Sequence, residues 1–403
     1  MSDKVRVVHI INSFEFGGAE SMLCNLLLRS DRRRFDPHVV ALIDDLRVAG
    51  PIVAAEIPLV TMGMKPGLPS PLAIVRLIRH LRRLRPAVVQ TWMDHSNLIG
   101  GVAARFVPGA RVVWGIHHSN HVAELTKRTT LMTVGACARL SGRVPARIVC
   151  CSEQSRVHYG QRGFTSERLT VIPNGFDTDH FRPDATARLA IRQEIGVAPD
   201  APLVGLVARY DPVKDHATFL RAAAIVHREF PDAQFLMCGD KVDPSNAALT
   251  QLIDSLGIGR ACHLLGPRRD VARIYAALDI STSSSISEAF PLAVGEAMAC
   301  GVPCVATDVG DSALMVGDTG MIVPPGDPGA LAAGMAELIG MAPSGRARLG
   351  GEARRRVRDR FDLGTVTRRY EALYEEILGA ESNPDRAPER VEDTAEVMIG
   401  AGS

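Results

Sequence analysis

No uncharged apolar run in this 403-residue chain approaches the ~18 residues that a membrane-crossing helix needs, so a transmembrane protein is not expected. A surplus of one charge sign is missing too. The formal net charge is +1, which leaves no global pull toward nucleic acid and confines any basic surface to a local patch. No nucleic-acid partner is therefore expected. The N-terminus, MSDKVRVVHIIN, enters a strand-like pattern directly and lacks the apolar core of a secretory signal, which gives a cytoplasmic expectation. Paired zinc-ligand spacings are absent among the eight cysteines (Cys24, Cys137, Cys150, Cys151, Cys238, Cys262, Cys300 and Cys304). Cys300 and Cys304 resemble half a metal site, but no second half follows, so all eight are expected as reduced, buried thiols.

What is present is a globular composition, with 46% hydrophobic and 23% charged residues, in a chain long enough for two cores. The opening VRVVHIINSFEFGGAESMLCNLLLRS reads as a buried strand, a glycine-bearing loop and a helix on which Met22, Leu23, Leu26 and Leu27 recur at helical spacing. Strand patterns at 38–43, 88–92, 111–116, 147–151 and 169–172 alternate with helical stretches, as in a parallel sheet covered on both faces. After the turn-rich VIPNGFDTDHFRPD the chain starts again with APLVGLVARYDPVKDHATFL, followed by strands near 234–239, 261–265, 279–283, 303–307 and 321–323. The expectation is an α/β protein of two Rossmann-like, doubly wound domains, 1–180 and 181–362, with a ligand in the cleft between them. A helix over 363–380 carries the stripe Tyr370, Leu373, Tyr374, Ile377 and Leu378, which must pack against something. The polar tail 381–403 is expected to be disordered.

Two stretches carry chemistry. ARYDPVKDH places Arg209 and Lys214 at the carboxyl end of a strand, where two cations suit a diphosphate and would stabilise the charge that grows as it departs. Two unrelated surface cations are the plain alternative. SISEAFPLAVGEAMACGVPCVAT sets Glu288 in a loop and Glu296 on a helix running to Ala299, with Pro291 suited to the first helical turn. The backbone amides of Phe290 and Leu292 would then face the cleft and favour an anion. Eight residues of continuous helix span about 12 Å, beyond the ~5–9.5 Å of a hydrolytic carboxylate pair, so the two glutamates are expected to have separate partners.

The run E-A-F-P-L-A-V-G-E-A-M-A-C-G-V-P resembles the E-x7-E signature of glycosyltransferase family 4, retaining enzymes of GT-B fold. The resemblance extends to Gly17-Gly18-Ala19-Glu20, to Arg209 and Lys214, to IPNGFDTDHFRP and to VPPGDPGALA, and covers nearly all of 1–378. It implies that Glu288 faces the donor sugar and Glu296 the nucleotide ribose, with Gly17, Gly18, Phe290, Pro291 and Leu292 around the sugar and diphosphate. It also implies a histidine at a strand end beside the sugar. RVVWGIHHSNH offers His117, which directly ends the strand, with His118 as the second candidate. The C-terminal helix is expected to return to the N-terminal domain. The chain departs from the family's common pattern at Ala289, Asp311 and Leu314, where glycine, glycine and glutamate are frequent.

No catalytic metal or other cofactor is expected. Asp177 and Asp179 formally make an Asp-x-Asp, but they follow Pro173-Asn174-Gly175 in a linker where aspartates cap turns. A cluster of His117, His118 and His121 has no evident carboxylate or cysteine partner. SPLAIVRLIRHLRRLRP reads as a basic amphipathic helix with Leu72, Val75, Ile78 and Leu81 on one side and Arg76, Arg79 and Arg83 on another. Similar enzymes use such a face to touch anionic lipid, which implies weak contact with the inner face of the plasma membrane; an ordinary solvated helix is the alternative. The expected function is transfer of a sugar from a UDP-sugar to an acceptor hydroxyl, in a lipid-linked or growing surface glycan, with retention at the anomeric carbon. A GT-B nucleotide-sugar epimerase and a catalytically silent sugar-nucleotide-binding subunit are the alternatives.

Overall fold

The computed structural model describes residues 4–15, 17–65, 71–118 and 126–379. The tail 381–403 and His121 lie outside the described residues. The first sheet contains β1 (Val5–Ile11), β2 (Phe35–Ala41), β3 (Leu59–Thr61), β4 (Val88–Trp92), β5 (Arg111–Ile116), β6 (Arg147–Cys150) and β7 (Leu169–Val171). Its spatial order is 3-2-1-4-5-6-7, with every pairing parallel. The second contains β8 (Leu203–Val207), β9 (Gln234–Cys238), β10 (Cys262–Leu264), β11 (Ile280–Ser283), β12 (Cys304–Thr307) and β13 (Met321–Val323), in the order 10-9-8-11-12-13, again parallel.

Both faces of each sheet are buried, and the two-residue strand period sorts the side chains between them. On β1, Val7 and Ile11 enter one core while Val8 and Ile10 enter the other. On β8, Leu203 lies in one core and Val204 and Leu206 in the opposite one. These are the two doubly wound units of a GT-B architecture. Strand order reverses between β1 and β4 and between β8 and β11, so each sheet has its crevice beyond the carboxyl ends of those strands.

The C-terminal helix, Leu363–Gly379, returns to the first sheet. Tyr370, Leu373, Tyr374 and Ile377 are buried with Met22, Leu23, Leu26 and Leu27, and Leu378 packs partly against them. The crossing point is tied by backbone: Phe176 N–H donates to the Phe361 carbonyl at 2.9 Å, and Leu363 N–H donates to the Phe176 carbonyl at 3.0 Å. All eight cysteines are free, and all but Cys262 are buried.

Three local expectations change. The edge strand β3 was not predicted, because three half-buried residues carry no alternation to read. β2 starts at Phe35 rather than 38; Pro37 sits within the strand and masked its first turnlike residues. The basic helix, Pro71–Leu84, buries Ala73, Leu77 and Leu81, with Ile78 packed partly against the same core, so Leu81 and Ile78 of the expected stripe face inward while Leu72 and Val75 do not. Those two are 76% and 40% exposed, on the face that carries Arg76, Arg79 and Arg83. Spacing explains the correction: 72, 75, 76, 79 and 83 follow one helical stripe, and 73, 77 and 81 follow another. Among the described residues, no helix is long and apolar enough to cross a membrane.

Candidate active site

A cavity of about 880 Å³ opens between the two sheets, at the carboxyl ends of β1, β4, β5 and β8 and of β11 beyond them. From the first domain it receives Gly17, Gly18, Glu20, Arg47, His117 and His118; from the second, Arg209, Lys214, Asp240 and the Glu288–Phe290 loop with Leu292. The helices Gly18–Arg29 and Leu292–Ala299 both begin at this cavity. Their starts nearly touch: a Cβ placed on Gly18 would lie 3.2 Å from Leu292 Cδ1, so a side chain there would press on the opposite domain. The first N–H groups of a helix have no intrahelical acceptor, and two helix starts facing one crevice form a ready environment for an anion.

His117 follows β5 directly, and its ring lies flat on Trp92, with centroids 4.9 Å apart and planes 18° apart. Neither ring nitrogen has a hydrogen-bond partner among the described residues, although both are closed off from bulk solvent. The carbonyl oxygen of the Asn174 side chain is likewise buried and unpartnered. Buried polar atoms are normally satisfied, so this group at a cavity wall is poised for an outside partner. Burial lowers the imidazole pKa to about 3, helped by neighbouring His118 and opposed by Asn174. His117 is therefore neutral near pH 7 and can donate from one nitrogen and accept at the other. His118 is exposed, and its backbone carbonyl accepts from Ser155 Oγ at 2.8 Å.

Across the cavity, Lys214 Nζ donates to Glu288 Oε1, and Ser285 Oγ donates to the same oxygen at 2.8 Å. The backbone holds this meeting in place. Ser284 Oγ donates to the Lys214 carbonyl at 2.8 Å, Ile286 N–H donates to the Val213 carbonyl at 2.8 Å, and Thr307 Oγ1 donates to the Ser285 carbonyl at 2.6 Å. Arg209 is half-exposed and held by Asp211, with nitrogen and oxygen 3.1 Å apart. Each expected cation thus has its own carboxylate, which keeps it oriented and keeps the ligand-free cavity from being a bare positive well.

The second glutamate is placed differently. Glu296 lies on the Leu292–Ala299 helix, one turn beyond Leu292, and does not line the cavity. Burial raises its carboxyl pKa to about 7, with Tyr275 hydroxyl as the opposing influence. Pro291 is the residue before the helix, not in its first turn, and is outside the cavity lining; its ψ of 96° is extended. The helix therefore covers only part of the interval between the glutamates, so the length of eight helical residues does not measure their separation. Phe290 turns its ring into the crossing point, stacked on Phe176 at 6.0 Å and edge-on to Phe361 at 5.4 Å.

Several participants carried no readable signal. Trp92, Arg47 and Asp240 reach the cleft or its hinge through tertiary folding; Glu20 and Asn174 stood inside quoted motifs and Asp311 stood out as a departure from the family pattern, but none of the three had a role assigned. Burial raises the pKa of Glu20, which faces Arg209 from the other domain. Asp177 and Asp179 belong to a turn. Asp177 Oδ1 accepts from the N–H groups of Asp179 and His180 at 3.1 and 3.2 Å, and Arg29 Nη2 donates to Asp177 Oδ2 at 2.9 Å.

Two family models match this chain: Glycosyltransferase Family 4 over residues 16–180 and Glycosyl transferases group 1 over residues 201–341. The chain belongs to the family 4 glycosyltransferases. Bacillus subtilis EpsF, described as a glycosyltransferase, is 24% identical over 320 residues, 76% of this chain and 80% of EpsF. A D-inositol 3-phosphate glycosyltransferase of Mycobacterium sp. (strain KMS) is 36% identical over 184 residues, which are 44% of this chain and only 40% of that relative's length. Among solved structures, Anabaena HepE in complex with UDP and glucose superposes with a TM-score of 0.82 at 22% identity, over 92% of this chain and 100% of that one. Sucrose-phosphate synthase from Thermosynechococcus elongatus gives 0.77 at 19% identity, over 93% and 100%. At such identities the structural likeness speaks for the fold.

Proposed function

We propose that this glycosyltransferase moves a hexosyl or N-acetylhexosaminyl group from a UDP-sugar to an acceptor hydroxyl, with retention at the anomeric carbon and without a metal. The observation that carries the proposal is the convergence on one cavity of Arg209 and Lys214 from the second domain, the unpartnered His117 ring from the first, and one helix start from each. The cations and backbone N–H groups suit a diphosphate; the neutral imidazole suits a sugar hydroxyl. Anabaena HepE, of the same fold, has been crystallised with UDP-glucose, which supports the choice of nucleotide.

In the reaction, the bond from the anomeric carbon to the diphosphate oxygen breaks, and the acceptor oxygen bonds to that carbon on the same face. The acceptor proton passes to the departing diphosphate. Lys214 and Arg209 take up the charge developing there, while Glu288 and His117 hold the sugar, so the protein contributes positioning and charge stabilisation. Glu296 binds the ribose when the nucleotide enters, and Gly17, Gly18 and the N–H groups of Phe290 and Leu292, with Pro291 between them, surround the diphosphate.

The acceptor in this reading is a lipid-linked or growing surface glycan, reached from the inner face of the membrane. The exposed stripe of Leu72, Val75, Arg76, Arg79 and Arg83 supports it, since two apolar residues flanked by arginines fit an anionic lipid surface. Sedimentation with anionic vesicles at low salt, reduced when Arg79 and Arg83 are neutralised, is the expected result; no binding removes the membrane step.

The central test is a thermal-shift screen with UDP, GDP and their sugars, followed by transfer assays in chelator. Stabilisation by UDP and transfer to an added acceptor with a retained anomeric configuration are expected. An inverted product or a metal requirement overturns the corresponding part. Release of epimerised sugar nucleotide without an acceptor, or nucleotide binding without turnover, replaces the transferase reading altogether.

A further inference from the structure

Asp311 is a carboxylate that the proposed chemistry does not use, and it lies where the family pattern commonly has glycine. It belongs to the second domain, just beyond β12, and is 6% exposed. Its two oxygens are spent on the first domain. Oδ2 accepts from Glu153 N–H at 2.8 Å and Oδ1 from Gln154 N–H at 3.1 Å. Those are the first two residues of the nine-residue helix Glu153–Gln161.

On its own side, Asp311 is fastened to the donor loop. Its N–H donates to the Ala289 carbonyl at 3.0 Å, next to Glu288. Gly310 lies on the same loop with φ of 58°, and a Cβ there would come within 2.4 Å of the Glu288 carbonyl oxygen, so the two segments are in backbone contact. On the far side, Ser155 of the Glu153–Gln161 helix donates its hydroxyl to the His118 carbonyl at 2.8 Å. A single run of hydrogen bonds thus joins Ala289, the neighbour of Glu288, through Asp311 and one helix start, to the backbone that carries His117 and His118.

Burial pushes the Asp311 carboxyl pKa up, opposed by the same two N–H groups. The helix start is the charge-compensating partner of this buried carboxylate, and a carboxylate at that end of a helix is favoured by the aligned peptide dipoles. Both bonds exist only when the domains are together. Separation would return a helix start and a carboxylate to water.

We infer that Asp311 is a positioning residue that clasps the second domain to the first and so sets the spacing between the Glu288 loop and His117. It deepens the transferase reading, on which its kinetic consequence rests, while the clasp itself can be measured without any substrate. A glycine at this position keeps the loop and removes the clasp.

The test places spin labels on Met132→Cys and Leu189→Cys, which are 70% and 58% exposed on the first and second domains, and measures the distance distribution between them. One narrow distribution is expected for the parent, and a longer or broader one for Asp311→Gly. Asp311→Asn, which keeps the volume and one acceptor, should fall between them and covers the case in which the glycine variant fails to fold. Where UDP-sugar transfer is detected, kcat should fall about ten-fold or more in Asp311→Gly, from the loss of charge-assisted hydrogen bonds, with UDP affinity changed much less. Unchanged distances in both variants overturn the clasp whatever the kinetics show. Changed distances with unchanged kcat overturn its positioning role. Failure to find a UDP-sugar donor bears on the transferase reading and leaves the distance result standing.

Discussion

Lys214 and Glu288, 74 residues apart in sequence, form an ion pair within the interdomain cavity. The lysine follows β8 and the glutamate follows β11, strands that are neighbours at the point where the order of the second sheet reverses. Sheet topology brings them together, and Ser285 shares the same carboxylate oxygen. In the proposed reaction, a donor diphosphate entering here would compete with Glu288 for the ammonium and free the carboxylate to turn to the sugar.

Lys214→Met should therefore do two things. It removes the proposed charge-assisted contact to the diphosphate, and it takes the ammonium away from a part-buried carboxylate. Such contacts are worth roughly 1.5–3 kcal/mol, so kcat/KM for the donor should fall at least about ten-fold. Glu288→Gln should lower kcat with little change in nucleotide affinity, whereas Glu296→Ala should lower affinity for UDP. Calorimetry with UDP and steady-state kinetics distinguish the two, and the reverse pattern would exchange the roles of the glutamates.

Glu296 makes stability depend on pH. Its folded pKa is about 7 against an ordinary value of 4.5, because burial disfavours the charged form. The folded state accordingly binds the proton more tightly than the unfolded one. This contribution is fully present below pH 4.5 and is lost as pH rises through about 7. A slope of up to about 1.4 kcal/mol per pH unit is possible from one group. Glu296→Gln, which stays neutral, should lose less stability than the parent between pH 5 and pH 7.5, as read from Tm in a pH series. Equal slopes would mean that this carboxyl ionises freely in the folded protein.

Leu72 and Val75 show what residue pattern alone does not decide. A helix of leucines, isoleucines and arginines has more than one plausible apolar stripe, and only the neighbours under it select Ala73, Leu77 and Leu81 for burial. The doubly wound architecture was legible because each strand is buried on both faces and is followed by a helical period. Lys214, Glu288, Arg209 and the Gly17-Gly18 loop were legible because all of them follow strands, where a parallel sheet presents its ligands. Trp92 was not, nor were the roles of Asn174 and Asp311. Their importance comes from what they face across the fold: a histidine ring, the cavity wall and another domain's helix start.

Trp92 carries the last prediction. Its ring is stacked between His117, at 4.9 Å and 18°, and Tyr370 of the C-terminal helix, at 6.0 Å and 24°. Its indole N–H donates to His9 Nδ1 at 3.2 Å, and burial keeps His9 neutral with a pKa lowered to about 3, so that nitrogen is available as an acceptor. The helix that returns from the second domain therefore supports the cavity wall through two aromatic layers. Tyr370→Ala should cost about 3–5 kcal/mol, as for other fully buried large-to-alanine changes, and would confuse stability with function. Tyr370→Leu is the sharper probe, since it keeps the helix face apolar while removing the ring on which Trp92 rests. Its expected effect is a modest fall in Tm with a several-fold drop in kcat, as His117 loses its fixed plane, while UDP affinity stays near that of the parent. If kcat is unchanged when Tm falls, the returning helix stabilises the first domain without orienting His117.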